Sequence, residues 1–157
     1  MHATTLLQLF NDDIGTAQQL SQLIDAEFQA LTDRDLPLLE SIVSSKQPLS
    51  DLLEQHGNER RQLLETLQLS ADRTGLQTLA SRSAQGAELL ARGDLLSTVL
   101  EQCQAANLRN GRLIRANQTS VGSLLSILRG VESPGAGLYD SRGASAKSAQ
   151  QRPFSQA

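Results

Sequence analysis

Residues 94–130 contain no proline, and their apolar side chains recur at alternating steps of three and four. Leu96, Val99, Cys103, Ala106, Asn110, Leu113, Asn117, Ser120, Leu124 and Ile127 follow that spacing, and Leu100, Asn107, Ile114, Val121 and Leu128 widen the stripe. Such spacing gathers side chains on one side of a helix. The stretch therefore reads as one long helix with polar residues set into an apolar seam, and it packs most simply against the segments that precede it.

Two of those segments have the same character. From about Thr4 to Leu31, the residues Leu6, Phe10, Ile14, Ala17, Leu20, Ile24, Phe28 and Leu31 share one helical face, with Thr4 or Thr5 as the expected cap and a Gln- and Asp-rich solvated face opposite. Thr32-Asp33-Arg34-Asp35 breaks the pattern. Asp35 is a good N-cap and Pro37 falls in a first turn, where its missing N–H does no harm. So short a connection implies an antiparallel return. The second helix reads from Leu36 to about Leu69. Its heptad seam is Leu39, Ile42, Lys46, Leu49, Leu53, His56, Arg60, Leu63 and Leu67, with a kink expected at Pro48 and a weak point at His56-Gly57-Asn58. Residues 70–85 read as a connection holding one short helix, about Leu76 to Arg82. Helical pattern resumes near Ala87. Arg92-Gly93-Asp94 is a candidate interruption, with Asp94 as the cap of the long helix.

After Gly130 the composition turns to Ser, Ala, Gly and Gln, with Leu138, Tyr139 and Phe154 as the large apolar residues. Ordering a residue costs roughly 1–2 kcal/mol and burying a large side chain returns about 1.5–3. So few anchors do not order such a tail in the free protein. The predicted organisation is all-α: an elongated antiparallel three-helix bundle or coiled-coil-like hairpin over 1–130, with a short connecting helix, then a flexible tail over 131–157.

Composition narrows the function. Of 157 residues, 39% are hydrophobic but only 3% aromatic, with no Trp, which suits helices built on Leu and Ala. A net charge of −3 and a pI near 5.3 do not supply the clustered cations or stacking aromatics that nucleic acids require. No apolar run approaches the roughly 20 residues of a membrane span, and the N-terminus lacks the basic start of a secretory signal. With a single cysteine, the expected compartment is the cytoplasm.

No catalytic residue, metal or cofactor is assigned. Two histidines and one cysteine fall short of a structural zinc set, and Asp12-Asp13 and Asp33/Asp35 lack calcium-loop spacing and read as solvated faces or caps. His56 on a helix raises phosphotransfer, but Gly57-Asn58-Glu59 follows it where that chemistry wants a lysine on a firm helix. Cys103 reads as a small buried hydrophobe. An Asn in a helical seam costs stability and fixes register. Asn107, Asn110, Gly111, Ile114 and Asn117 accordingly read as the layer that aligns the helices, with Gly111 admitting another backbone closely; a partner surface is the other reading. Leu124, Leu125, Ile127, Leu128 and Val131 offer more apolar surface than a two-helix partner need cover, a common mark of an interaction site; core packed against the first turns of the first helix is the other reading.

The hairpin with Glu27, Leu31, Asp35 and Lys46 resembles the N-terminal half of the FlgN family of flagellar export chaperones. The long helix with Asn107, Asn110-Gly111 and Leu113-Ile114 resembles the family's signature, and Tyr139 followed by Gly143 looks like its C-terminal pattern. The resemblance covers roughly residues 5–143. It implies a cytoplasmic, non-enzymatic chaperone that binds the C-terminal helical segments of hook–filament junction proteins and delivers them to the flagellar export apparatus. An amphipathic client helix would rest on Leu124, Ile127, Leu128 and Val131 plus the tail, with Tyr139 as an anchor for client or export gate; a solitary aromatic in a linker is the other reading of Tyr139. The rival reading is a generic helical adaptor or scaffold, whose seam would form a homo-oligomer.

Overall fold

The structure, a computed structural model, describes residues 1–128, and every element among them is a helix: α1 (His2–Asp33), α2 (Leu36–Thr66), α3 (Arg73–Ser81) and α4 (Gly86–Leu128). The chain divides into two compact units, Met1–Gly111 and Arg112–Ala157.

In the first unit, α1 lays down the core. Leu6, Leu7, Phe10, Ile14, Ala17, Leu20 and Ile24 are buried with Leu64 of α2, Leu76 and Ala80 of α3, and Leu89, Leu96, Val99 and Cys103 of α4. Pairings across the helices give their directions. α1 meets α2 through Glu27 with Lys46 and Asp13 with Arg60, so the two run antiparallel. α1 meets α4 through Ala17 with Cys103 and Ile24 with Asn110, both pairs 86 residues apart, so these two run parallel. The first unit is thus an up–down–up arrangement of three long helical segments, with α3 closing one end of the core.

The turns follow local chemistry. α1 ends on Arg34 in the left-handed conformation (φ 57°), and the N–H of Asp35 bonds the carbonyl of Ala30 at 3.0 Å. Asp35 caps α2 by accepting from the Leu38 N–H at 3.1 Å, and Pro37 sits in the first turn. α2 continues as helix through Pro48 and through Gly57-Asn58, then stops at Thr66 rather than near Leu69, because Gln68 turns left-handed (φ 58°).

Three further boundaries differ from the sequence reading. Neither Thr4 nor Thr5 caps α1: the helix starts at His2, and the Thr5 hydroxyl donates to the Met1 carbonyl at 3.2 Å. α3 begins at Arg73, earlier than expected, because Asp72 caps it by accepting from the Gly75 N–H at 3.0 Å. A Cβ on Gly75 would lie 1.8 Å from the Ser70 carbonyl oxygen, so this turn admits glycine alone. α4 begins at Gly86 and runs without interruption through Gly93-Asp94. Asp94 caps nothing; its carboxylate pairs with the guanidinium of Arg73 on α3.

The Asp72 carboxyl is held below its ordinary value of 3.8, first by the hydrogen bond from the Ser70 hydroxyl and then by the Gly75 N–H. A carboxyl depressed in the folded state stabilises it above the ordinary value, and that contribution fades as pH falls through the folded value. The Gly75 amide is therefore expected to lose hydrogen-exchange protection below about pH 4, ahead of amides in the middle of α1. Equal loss at both places would show that the cap does not govern α3.

Candidate functional site

The first unit carries two polar clusters inside its apolar seam. One joins all three long helices. Glu27 of α1, buried, accepts from Lys46 Nζ of α2 at 2.7 Å and from Asn110 Nδ2 of α4 at 3.0 Å, one partner to each carboxylate oxygen. Asn110 is 1% exposed and also donates to the Ile24 carbonyl at 2.8 Å. Lys46 reaches on to Asn107 Oδ1 at 3.3 Å. Arg109 closes the edge: its Nε donates to Asn110 Oδ1 at 3.1 Å, its Nη2 to Asp25 at 3.2 Å, and its guanidinium lies 4.2 Å from the centre of the half-buried Phe28 ring. Each buried polar atom in this cluster has a geometric partner, the condition under which such a cluster fixes register rather than merely costing energy.

The other cluster centres on Asp13, whose side chain is fully buried. It accepts from His56 Nδ1 at 2.6 Å and from Arg60, and Arg60 in turn lies 5.3 Å from the centre of the Phe10 ring. The expectation that Asp12-Asp13 lies on a solvated face is therefore wrong for Asp13. It stands three residues after Phe10 and four before Ala17, on the core side, and it persists there because two cationic or hydrogen-bonding partners from α2 reach it. His56 serves as a structural partner to a buried carboxylate. Lys46, His56 and Arg60, the polar positions of the α2 seam, are the complement to Glu27 and Asp13. That charge complementarity between two amphipathic faces was the sequence signal that could have found both acids.

Of the residues expected to align the helices, Asn107 and Asn110 meet in the first cluster. Gly111 is half-buried, and a Cβ there would meet nothing within 4 Å, so the close approach of another backbone expected at this glycine is not found. Ile114 (36% exposed) and the half-buried Asn117 belong to the second unit. Of the expected client-binding residues, Ile127 and Leu128 are 73% and 72% exposed at the end of α4, with Leu125 at 43% beside them. Leu124 lies in the same helix, its side chain outside what the structure describes, and Val131 and Tyr139 lie outside the described residues. Cys103 is buried, its Sγ 3.5 Å from the Ala17 carbonyl, and burial pushes its thiol above the ordinary 9.0, which suits a packing role. No three His, Cys, Asp or Glu side chains among the described residues are placed to hold a metal ion.

A family model described as FlgN protein matches residues 1–147. This chain belongs to the FlgN family. A crystal structure from Pseudomonas aeruginosa, of a protein provisionally described as a flagella synthesis protein FlgN, is 56% identical. It superposes with a TM-score of 0.68 over 79% of this chain and 95% of that one. No curated protein matches. The long α4 with its Asn110 cluster, and the α1–α2 hairpin held by Glu27 and Lys46, are thus features of a FlgN-family helical bundle concerned with flagellar assembly. No helix among the described residues is long and apolar enough to cross a membrane.

Proposed function

We propose that this FlgN-family chain is a cytoplasmic flagellar export chaperone. It would bind the C-terminal helical segments of hook–filament junction proteins, keep them from aggregating and deliver them to the export apparatus, with no reaction catalysed. The observation that carries the site assignment is the apolar end of α4, where Leu125, Ile127 and Leu128 stand exposed within four residues of one another. An amphipathic client helix would lay its own apolar face there. Burying Ile127 and Leu128 is worth about 1.5–3 kcal/mol each before the cost of ordering is subtracted. The residual affinity is moderate, as suits a partner that must be released. Val131 and Tyr139 extend the proposed surface, so the segment 131–157 forms its second half.

The test is calorimetric titration of the full chain with C-terminal segments of hook–filament junction proteins. Ile127→Ser/Leu128→Ser is expected to weaken binding at least tenfold, and deletion of 131–157 to weaken it too. Helicity and the unfolding of the first unit should be unchanged in both. Unaltered affinity in both variants would remove the α4 end and the tail as the client site. A stable homo-oligomer that persists in the serine variant would instead favour the scaffold reading.

A further inference from the structure

Charge is divided unevenly between the two units. Met1–Gly111 holds fifteen of the seventeen acids but only eight of the fourteen Lys and Arg residues, a net −7. Arg112–Ala157 holds the other six cations against Glu132 and Asp140, a net +4, in a chain whose total is −3. The first unit's cations are largely neutralised: Lys46, Arg60, Arg73 and Arg109 each pair with a carboxylate. The described part of the second unit, the last turns of α4, carries Arg112 and Arg115 and no acid. Both arginines are exposed, and neither pairs with a carboxylate among the described residues.

Arg112 and Ile127 lie on the same side of α4. Fifteen residues at ~100° each return to within about 60° of the starting direction, and at ~1.5 Å per residue the two stand roughly 22 Å apart. Thr119 and Ser123, both exposed, fall on that side between them, and Arg115 flanks it. Ile127 is 73% exposed. One open strip of α4 thus has a guanidinium at one end and a large apolar side chain at the other, with no carboxylate along it to offset the cations.

We infer, taking the α4 end as the client site proposed above, that the client segment is a net-acidic amphipathic helix whose carboxylates lie about four turns from its main apolar anchor. Carboxylates paired with Arg112 and Arg115 leave the apolar anchor of the same helix at Ile127. The +4 of the second unit draws such a segment in, and the −7 of the first turns it away. Charge therefore sets where and how fast the client docks, more than how tightly it is finally held. An anionic lipid surface and a nucleic acid are the other polyanions. Each extends well past one unit and meets a chain of net charge −3, whereas a helix of about 20 residues, roughly 30 Å long, can be met by the second unit alone.

The test uses the full chain and a labelled, capped helical peptide of about five turns, with Leu and Ala along one face and four Glu in one half, read by fluorescence anisotropy. Two controls carry Gln or Lys in place of the four Glu. In 50 mM salt the Glu peptide is expected to bind at least tenfold tighter than the Gln peptide, with the Lys peptide weakest, and 300 mM salt should erase most of the difference. Arg112→Glu/Arg115→Glu should abolish the preference for Glu over Gln at unchanged helicity. Arg61→Glu/Arg82→Glu, the same change of net charge made in the first unit, should leave it intact. Ile127→Ser should weaken the Glu and Gln peptides alike. Equal binding of those two peptides, or a preference that survives Arg112→Glu/Arg115→Glu, would overturn the proposal. So would pelleting of the chain with phosphatidylglycerol vesicles that the Glu peptide does not compete away, which would give the cations to a lipid surface. Natural hook–filament junction segments that bind while the Glu and Gln peptides bind equally would leave the client reading standing and remove its charge. Natural segments that fail beside a Glu peptide that binds would remove that client and keep the selection for an acidic helix.

Discussion

Asp13→Ala is expected to destabilise the first unit by about 3 kcal/mol, at the lower end of what breaking a buried ion pair costs. The variant loses little apolar contact. The cost arises because Arg60 and His56 stay where α2 holds them, with side chains only 17% and 15% exposed, and no carboxylate remains to offset their desolvation. The lower end applies because that residual exposure lets water reach both groups. Replacing the whole cluster is a different experiment. Asp13→Leu/His56→Leu/Arg60→Leu removes every charge at once, and exchange of a buried ionic group for apolar side chains is often neutral or stabilising. The triple variant should therefore recover most of the loss. Urea unfolding of single and triple variants decides the matter, read as midpoint shifts at unchanged slope. A triple variant as unstable as the single one would mean that the cluster contributes net stability beyond mutual neutralisation.

Asn110→Ala should cost about 2–3 kcal/mol, from three sources. The amide loses its bonds to the Ile24 carbonyl and to Glu27, at 2.8 and 3.0 Å, worth roughly 1–3 kcal/mol with one partner charged. A small cavity adds to that. Arg109 also loses the Asn110 oxygen that holds it over Phe28. Asn110→Leu fills the volume but leaves one oxygen of buried Glu27 unpaired, so it should recover only part of the loss. The diagnostic is a double-mutant cycle with Glu27→Gln, in which a coupling near 1 kcal/mol is expected for directly bonded partners. Additive effects would show that Asn110 acts through Ile24 alone. Exposed Arg73 and Asp94 offer a contrast. Their pair has two bonds, but both side chains are more than half exposed, and its removal should fall within about 1 kcal/mol.

The helices and their apolar faces were legible because leucine periodicity is a strong signal and because Asp35 and Pro37 mark a helix start unambiguously. The buried acids were not. A pattern that counts only apolar residues skips Asp13 and Glu27, although both fall at seam spacing and α2 answers each with a basic residue or histidine. The start of α3 was missed for a related reason: Asp72 looked like part of a polar linker, and its capping role needs Gly75 three residues on. Asp94 shows the converse error. Its position after Gly93 fits a cap, but whether an acid caps its own helix or pairs with a neighbouring one depends on where Arg73 lies, which only the tertiary structure gives. Gly111 and Gly57 are both mid-helix glycines, and sequence cannot tell which has a neighbour. In the structure neither has a close one: a Cβ would meet nothing within 4 Å at Gly111 and only Arg60 Nη2, at an ordinary 3.7 Å, at Gly57.

The parallel course of α1 and α4 has a consequence for how the chain assembles. Arg34 and Asp35 bring α2 straight back on α1, so the hairpin can close, and neutralise Asp13 and Glu27, as soon as α2 has been made. The α1 contacts with Cys103 and Asn110 join residues 86 apart, and loop closure at that separation comes late. At roughly 5–20 residues per second, a nascent chain spends several seconds with its charged pairs already satisfied and the apolar stripe from Ile14 to Ile24 still awaiting α4. The ion pairs thus hold a half-built bundle together, and the Asn110 amide completes it.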